Sequence, residues 1–277
     1  MGIVFALLAA AAYGVSDFIG GIASRRVSAL TVLLVSYPIG GAIMAAMLVF
    51  YRGPVSGNTL AWSLAGGVAG LAGVALLYGA LAQAPMNIVS PVTAVMSAVV
   101  PIFGGVAKGE RPHTLAWLGI GLGLVAVVLI SRQPPDHPHG PVGWKPMTMA
   151  VLAGVGFGAY FICLAQSDHD SGMWPVVLSR ATSAVLVVAL VLSLGRWQRM
   201  SAGVLWLAAI AGTLDASANV AFLLASRHGL LSLSGVITAL YPAGTVLLAV
   251  LILKERTGNV QRAGLGLAAA AVVLLTR

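Results

Sequence analysis

Charged side chains inside apolar segments are the first candidates for function in this sequence. Asp17, Arg180 and Asp215 are the three of this kind. A charge within a membrane span is costly unless water, a partner or a ligand compensates it, so such residues normally face a cavity or form a pair. For Arg180 and Asp215 two interpretations stay open: a structural ion pair between neighbouring helices, or a site for a charged substrate or a proton. For Asp17 a structural role is favoured, because Arg25 and Arg26 lie near the same segment end.

Uncharged polar residues follow these segments at helical spacing. Asp215 and Asn219 are at positions i and i+4 and share one helix face. Two longer stripes consist of Ser234, Thr238, Tyr241 and Thr245, and of Asn87, Ser90, Ala94, Ser97 and Pro101. A single Ser or Thr in a membrane helix more often packs helices or bonds its own backbone, but matching stripes in two corresponding segments favour a cavity. The predicted substrate-binding residues are Asp215, Asn219, Arg180, Asn87, Ser90, Thr93, Ser234, Thr238, Tyr241, Tyr78, Tyr13 and Asp17.

The sequence lacks the clusters that catalysis or metal binding requires. Its five histidines lie in loops or at segment ends, and none forms a His-Glu pair at helical spacing. Cys163 is the only cysteine, which excludes a disulfide framework and a cysteine-based metal site. A channel would need a filter-like sequence or a ring of charges, and neither is visible. We therefore predict no catalytic residue, no cofactor and no metal, with an integral-membrane enzyme as the less favoured alternative.

The elements that must position these residues are membrane helices. The chain has 277 residues, of which 59% are hydrophobic and only 8% charged, whereas a soluble domain carries roughly 25% charged residues. Apolar segments of about 20 residues, the length that crosses the hydrocarbon core, recur throughout, and such unbroken runs exclude a β-barrel. The ten predicted spans are approximately 3–22, 30–51, 60–81, 86–107, 114–131, 147–166, 173–195, 203–226, 231–252 and 260–276.

The net charge of +8 comes from basic residues at span ends, where they anchor helices at the interface, so we expect no nucleic-acid partner. With a cytoplasmic N-terminus, the inner side would carry Arg52, Lys108, Arg111, Arg227 and Arg277. The outer side would carry Arg25, Arg26, Arg132, Lys145, Arg196, Arg199, Lys254, Arg256 and Arg262. This distribution is opposite to the positive-inside rule.

The chain contains an internal repeat. The polar, proline-rich stretch 131–146 divides ten spans into five and five, which predicts a first repeat at 1–132, a linker at 133–146 and a second repeat at 147–277. Residues 119–132 and 264–277 are identical at eight of fourteen positions. Because each half holds an odd number of spans, the second is inverted, as in alternating-access transporters. The predicted fold class is an all-α integral membrane protein with ten transmembrane helices in two inverted five-helix repeats.

Glu110 and Glu255 occupy equivalent positions in the two repeats, each after the fourth span of its half. Basic residues surround both carboxylates. The favoured interpretation is a solvated turn whose charges end two helices, rather than a direct chemical role.

Several motifs resemble a known family. The stretch "AAAAYGVSDF" at 9–18 resembles the first-helix motif of the drug/metabolite transporter superfamily, with Tyr13 in place of the usual Trp and Asp17 where Asn is common. The glutamates after spans four and nine, with Pro242 in the second half, resemble the EamA-type repeat of that superfamily. The resemblance implies ten helices, a cytoplasmic N-terminus, carriage of small metabolites and a central cavity lined largely by helices three, four, eight and nine.

We expect a multi-pass carrier in the inner cell membrane that moves a small metabolite, such as an amino acid, by rocking two five-helix units around a central site. An exporter of drugs or cationic compounds is the alternative within the superfamily. A proton is a candidate coupling ion: a lone buried carboxylate would suit coupling, whereas a stable pair with Arg180 would favour uniport or exchange. The expected partners are the substrate and the lipid bilayer, and both a monomer and a homodimer stay open.

Overall fold

The computed structural model describes residues 1–24, 26–81, 83–84, 86–131, 143–195, 198–244, 248 and 258–276. The described residues form ten helices and no β-strand. The helices are α1 (Gly2–Ser24), α2 (Ala29–Met47), α3 (Gly57–Leu81), α4 (Met86–Ala107), α5 (Thr114–Ser131), α6 (Trp144–Gln166), α7 (Trp174–Leu194), α8 (Ala202–Arg227), α9 (Leu231–Thr238) and α10 (Asn259–Thr276).

The helices begin and end where local chemistry favours it. Ser28 and Ser201 precede α2 and α8, and each side-chain oxygen accepts a hydrogen bond from a backbone N–H in the first turn. Gly195 ends α7 in the left-handed conformation, with φ of 61°, which glycine adopts without steric cost. Six of the described helices, namely α1, α2, α3, α6, α7 and α8, are long and apolar enough to cross a membrane. The predicted ten-helix, all-α fold is confirmed.

The predicted boundaries agree with the helices within two positions, except at the end of α2, at the start of α3, around the linker and in the ninth span. Helix α2 ends at Met47, four positions before the predicted end at 51, and α3 begins at Gly57, three positions before the predicted start at 60. Helix α6 begins at Trp144, three positions before the predicted start at 147. Most of the predicted linker lies outside the described residues. The same holds for the end of the ninth span, including Thr245, and for Glu255.

Packing between helices has an approximate two-fold symmetry that exchanges the two halves. Helix α1 packs against α8 as α6 packs against α3, and α2 packs against α8 as α7 packs against α3. In three further contacts each helix packs against its own equivalent in the other half, namely α2 with α7, α4 with α9 and α5 with α10. This arrangement of contacts is what a pseudo-two-fold axis through the molecule produces.

The direction of the paired helices shows that the second half is inverted. A side chain at Gly2, where α1 begins, would lie 2.8 Å from the carbonyl oxygen of His228, which follows the end of α8. Ser16, later in α1, donates to the carbonyl of Ala211, earlier in α8. Helices α1 and α8 are therefore antiparallel. Helix α8 is the third helix of its half and is therefore the equivalent of α3. If both halves had the same orientation in the membrane, α8 would run parallel to α1, as the third helix of an up-down series does. Because α8 is antiparallel to α1, the predicted inversion is confirmed.

The ten helices form two four-helix groups flanked by α5 and α10. We call α3, α4, α6 and α7 the first bundle, and α1, α2, α8 and α9 the second bundle. Within each bundle the helices pack extensively, whereas the bundles meet mainly where α2 contacts α7 and α4 contacts α9. Each bundle takes two helices from each half of the sequence.

Candidate functional site

A cavity of about 160 Å³ lies at the centre of the molecule, between the two bundles. Its lining residues are Tyr13, Asp17, Tyr37, Gly70, Val74, Leu77, Ser97, Phe157, Tyr160, Phe161, Ser179, Arg180, Ser183, Asp215, Asn219 and Tyr241. Nine of these described residues belong to α1, α2, α6 and α7, so these helices line the cavity together with α3, α4 and α8. Several side chains at the start of α4 and the end of the ninth span lie outside the described residues. The expectation that helices three, four, eight and nine supply most of the lining therefore stays a prediction.

Arg180 and Asp215 form an ion pair on the cavity wall. The Arg180 Nη2 atom of α7 donates to Asp215 Oδ2 of α8. The Arg180 side chain is buried, whereas the Asp215 side chain is 28% exposed. The guanidinium carbon also lies 4.3 Å from the centre of the Tyr37 ring, a cation–π contact. The pair thus compensates two charges that would be costly in isolation, and it faces the cavity at the same time.

Asn219 extends this pair into a network that joins the two bundles. Its Oδ1 atom accepts hydrogen bonds from Tyr13 of α1, at 2.9 Å, and from Tyr160 of α6. Its Nδ2 atom donates to the backbone carbonyl of Asp215 at 2.6 Å and to Asp215 Oδ2 at 3.2 Å. Satisfied networks of this kind fix side-chain positions in a low-dielectric interior. The cavity therefore has a polar wall held in place by helices of both bundles.

Asp17 lies on the cavity wall as an exposed side chain. Among the described residues it has no hydrogen-bond or ion-pair partner. Arg25 lies outside the described residues, and Arg26 forms no ion pair with Asp17. The structural role favoured for Asp17 therefore stays a prediction, because Arg25 lies outside the described residues. Asp17 is four positions after Tyr13 and shares its helix face.

Of the other predicted site residues, one lines the cavity and three do not. Tyr241 lines the cavity. Thr93 instead donates to the backbone carbonyl of Ala150 at 3.1 Å, a contact between α4 and α6. Ser234 and Thr238 are buried but are not among the lining residues. The arrangement favours a packing role for these three. The side chains of Tyr78, Asn87 and Ser90 lie outside the part of the chain that the structure describes.

Several lining residues were not predicted from the sequence. Ser179 and Ser183 flank Arg180 on α7 at positions i and i+4, and this spacing beside a buried charge could have identified them. Tyr160 follows the glycine-rich stretch 154–158, but nothing in the sequence shows that its hydroxyl group meets Asn219. Tyr37 likewise gives no local signal, because its role depends on Arg180, which is distant in the sequence.

Hydrogen bonds join the two bundles at one face of the molecule, where α8 ends beside the loop between α6 and α7. The guanidinium group of Arg227, at the end of α8, donates to the carbonyl oxygens of Gly172 at 2.8 Å and Asp168 at 3.1 Å, and to Ser171 Oγ at 3.0 Å. Arg227 belongs to the second bundle, whereas residues 168–172 connect α6 to α7 in the first. We call this group of contacts the clasp, because it ties the two bundles together at this face.

Asp168 secures the other side of the same loop. Its carboxylate accepts hydrogen bonds from Ser56, from Asn58 Nδ2 at 2.7 Å and from Thr59 Oγ1 at 3.2 Å, all at the start of α3. These bonds, first the one from Ser56, lower the pKa of the Asp168 carboxyl group below its ordinary value. The contacts lie within the first bundle, so they fix the loop that Arg227 holds.

Glu110 makes a second connection between bundles at this face. Its Oε1 atom accepts from the backbone N–H of Leu231 at 2.5 Å, and its Oε2 atom accepts from the N–H and hydroxyl of Ser232 at 3.0 and 2.6 Å. The carboxylate thus occupies the start of α9, where unpaired N–H groups and the helix dipole favour an anion. The interpretation of Glu110 as part of a solvated turn is wrong, because these donors come from the opposite half of the chain.

Comparisons with known proteins agree with this architecture. The model of the EamA-like transporter family matches the chain twice, over residues 1–132 and 144–277, which are the two predicted halves within a few residues. A solved structure titled "Crystal structure of protein" superposes with a TM-score of 0.79 at 18% identity, covering 99% of this chain and 96% of that one. At this identity the similarity shows the fold alone. The search of curated proteins gives no match. From the family match over both halves, the chain belongs to the EamA-like transporter family and is a multi-pass membrane transporter of the drug/metabolite transporter superfamily.

Proposed function

We propose that this protein carries a small organic metabolite across the inner cell membrane by alternating access. The observation that carries the proposal is the position of the polar cavity between two bundles that are related by a pseudo-two-fold axis. Such a site can face either side of the membrane when the bundles change their relative tilt. The clasp and the Glu110 contact at one face support a state in which access from that face is closed.

The packing favours the two bundles, rather than the two sequence repeats, as the moving units. Helices of opposite repeats, such as α3 and α6, pack extensively against each other, and motion of the repeats as rigid bodies would break these contacts. Motion of the bundles would keep them and change mainly the contacts of α2 with α7 and of α4 with α9. This replaces the expectation of two rocking five-helix units.

The charged side chains of the cavity indicate which residue could couple transport to a proton and what charge the substrate could carry. Because Asp215 is paired with Arg180, it is a poor candidate for a proton carrier, and this pair favours uniport or exchange. Asp17 is the carboxylate in the cavity that could hold a proton or a cation. The candidate substrates are an amino acid and a cationic compound. Asp17, which has no ion-pair partner among the described residues, favours the cationic compound.

Transport by purified protein in lipid vesicles tests this function. Radiolabelled amino acids and organic cations are offered to vesicles with and without a pH gradient, and protein-free vesicles serve as the control. We expect saturable accumulation or counterflow of at least one compound. Stimulation by the gradient would support proton coupling, whereas unstimulated counterflow would support exchange. Passive, non-saturable flux of every compound would contradict the proposal.

A further inference from the structure

The described lining of the cavity contains one carboxyl group without an ion-pair partner. Its charged side chains are Asp17, Arg180 and Asp215. Arg180 and Asp215 neutralise each other in their ion pair, whereas Asp17 has no hydrogen-bond or ion-pair partner in the described part of the chain. A carboxylate in such a site is stabilised by a cation that enters with the ligand. The lining therefore favours a positively charged group near Asp17.

Aromatic rings line the same cavity as Asp17. Tyr13 lies one helical turn before Asp17 on the same face of α1, and Tyr241 is also a lining residue. The faces of tyrosine rings attract cations. The guanidinium carbon of Arg180, 4.3 Å from the centre of the Tyr37 ring, shows that the cavity already accepts a cation in this way.

An anionic ligand would find no comparable partner in the described lining. The buried Arg180 is occupied by Asp215 on one side and by the Tyr37 ring on another. A ligand carboxylate would also be repelled by an ionised Asp17. The volume of about 160 Å³ suits a small ring, since a cavity of roughly 150 Å³ in another protein holds benzene. Charge, wall chemistry and size together describe a small organic amine.

Resting on the transport function proposed above, we propose that Asp17 binds the ammonium group of a small organic amine, with Tyr13 and Tyr241 as the aromatic wall around it. The carboxylate would supply a charge-assisted hydrogen bond and the rings a cation–π contact. The rest of the ligand would lie against Phe157 and Phe161. Amino acids share this ammonium group, but their carboxylate would have no partner in the described lining, so the site favours cationic compounds over amino acids.

Binding of benzylamine to the full-length protein in detergent tests this proposal by calorimetry. Benzyl alcohol, a neutral compound of nearly the same shape, is the matched ligand. We expect benzylamine to bind about tenfold more tightly or better than the alcohol, a difference of about 1.4 kcal/mol. Asp17→Asn should weaken amine binding by about the same factor and leave alcohol binding unchanged. Asp17→Glu should retain amine binding. Asp170→Asn, which alters an exposed carboxylate outside the cavity, is the control and should bind as the unaltered protein does.

Thermal unfolding of the unaltered protein adds a readout that does not depend on the variants folding: benzylamine should raise the melting temperature more than benzyl alcohol does. Equal effects of amine and alcohol, no amine binding at millimolar concentration, or unchanged amine affinity in folded Asp17→Asn would each overturn the proposal. Binding can be measured without a gradient across a membrane. If the protein binds benzylamine through Asp17 but transports none of the tested compounds in vesicles, the transport proposal is contradicted and the amine-binding proposal is supported.

Discussion

The guanidinium group of Arg180 and the carboxylate of Asp215 are joined across α7 and α8 in an ion pair that faces the central cavity. The sequence left a structural pair and a functional site open as alternatives. The geometry makes them compatible, because Arg180 is buried by the pairing whereas Asp215 stays partly accessible to the cavity. This relationship sets the expected behaviour of substitutions at both positions.

We expect Asp215→Asn to destabilise the protein because it leaves a buried guanidinium group without its charge partner. The loss should be about 2–3 kcal/mol, below the value for a fully buried pair because the Asp215 side chain is 28% exposed. The double change with Arg180→Met should recover most of the stability and yet impair transport, since the cavity loses its polar wall. Thermal unfolding and vesicle transport measure the two effects. Full transport by a stable double variant would exclude the pair from the site.

For Glu110→Gln we expect a loss of about 1 kcal/mol of stability with transport largely retained. The amide keeps the shape of the side chain but not the negative charge that favours the start of α9. Glu110→Ala, which removes every acceptor for Leu231 and Ser232, should cost more. Thermal unfolding ranks the variants, and equal stability of all three proteins would show that this contact does not stabilise the fold.

Asp168 gives a pH-dependent prediction. Its carboxyl pKa is lowered from the ordinary value of 3.8 in the folded protein. The ionised Asp168 carboxylate therefore stabilises the folded protein fully above the unfolded-state pKa, and this stabilisation is lost as the pH falls through the lower folded-state pKa. Asp168→Asn should consequently be less stable than the unaltered protein above about pH 5, with the difference shrinking below about pH 4. Melting temperatures from pH 3 to 7 measure this difference in stability, with Asp170→Asn as the control. A difference that does not change with pH would contradict this assignment.

Much of the fold was predictable because it depends on local properties. Apolar length locates the spans, and the odd number of spans in each repeat determines the inversion. The grouping into bundles was not predictable, since it depends on which helices of opposite repeats pack together. A sequence repeat identifies equivalent helices, but it does not show that α3 pairs with α6.

The site was predictable only where a residue is unusual for its surroundings. Charges in apolar spans identified Asp17, Arg180 and Asp215, and helical spacing added Asn219. The same spacing also selected Thr238, which is buried outside the cavity lining, because periodicity alone does not tell which neighbour a polar face meets. Contacts between distant segments, such as Tyr160 with Asn219, carry no local signal at all.

The central claim is that the two bundles move against each other during transport. A reducible cross-link across the clasp tests it, in a background where the only cysteine, Cys163, is replaced by alanine. The test pair is Ser171→Cys with Arg227→Cys, at positions where Arg227 Nη2 donates to Ser171 Oγ between the bundles at 3.0 Å. Because cysteine is much shorter than arginine, a short bis-methanethiosulfonate reagent joins the two thiols in place of a direct disulfide. The control pair, treated with the same reagent, is Ser56→Cys with Asp168→Cys, whose native side chains are in contact within the first bundle.

Vesicle transport by both cross-linked pairs, before and after reduction, is the deciding measurement. Cross-linking of the pair across the clasp should stop transport, and reduction should restore it, because opening of this face requires the bundles to separate. The cross-linked control pair should transport at the rate of its reduced form. If the protein with a complete cross-link across the clasp transports as fast as its reduced form, the bundles do not separate at this face, and the account is wrong.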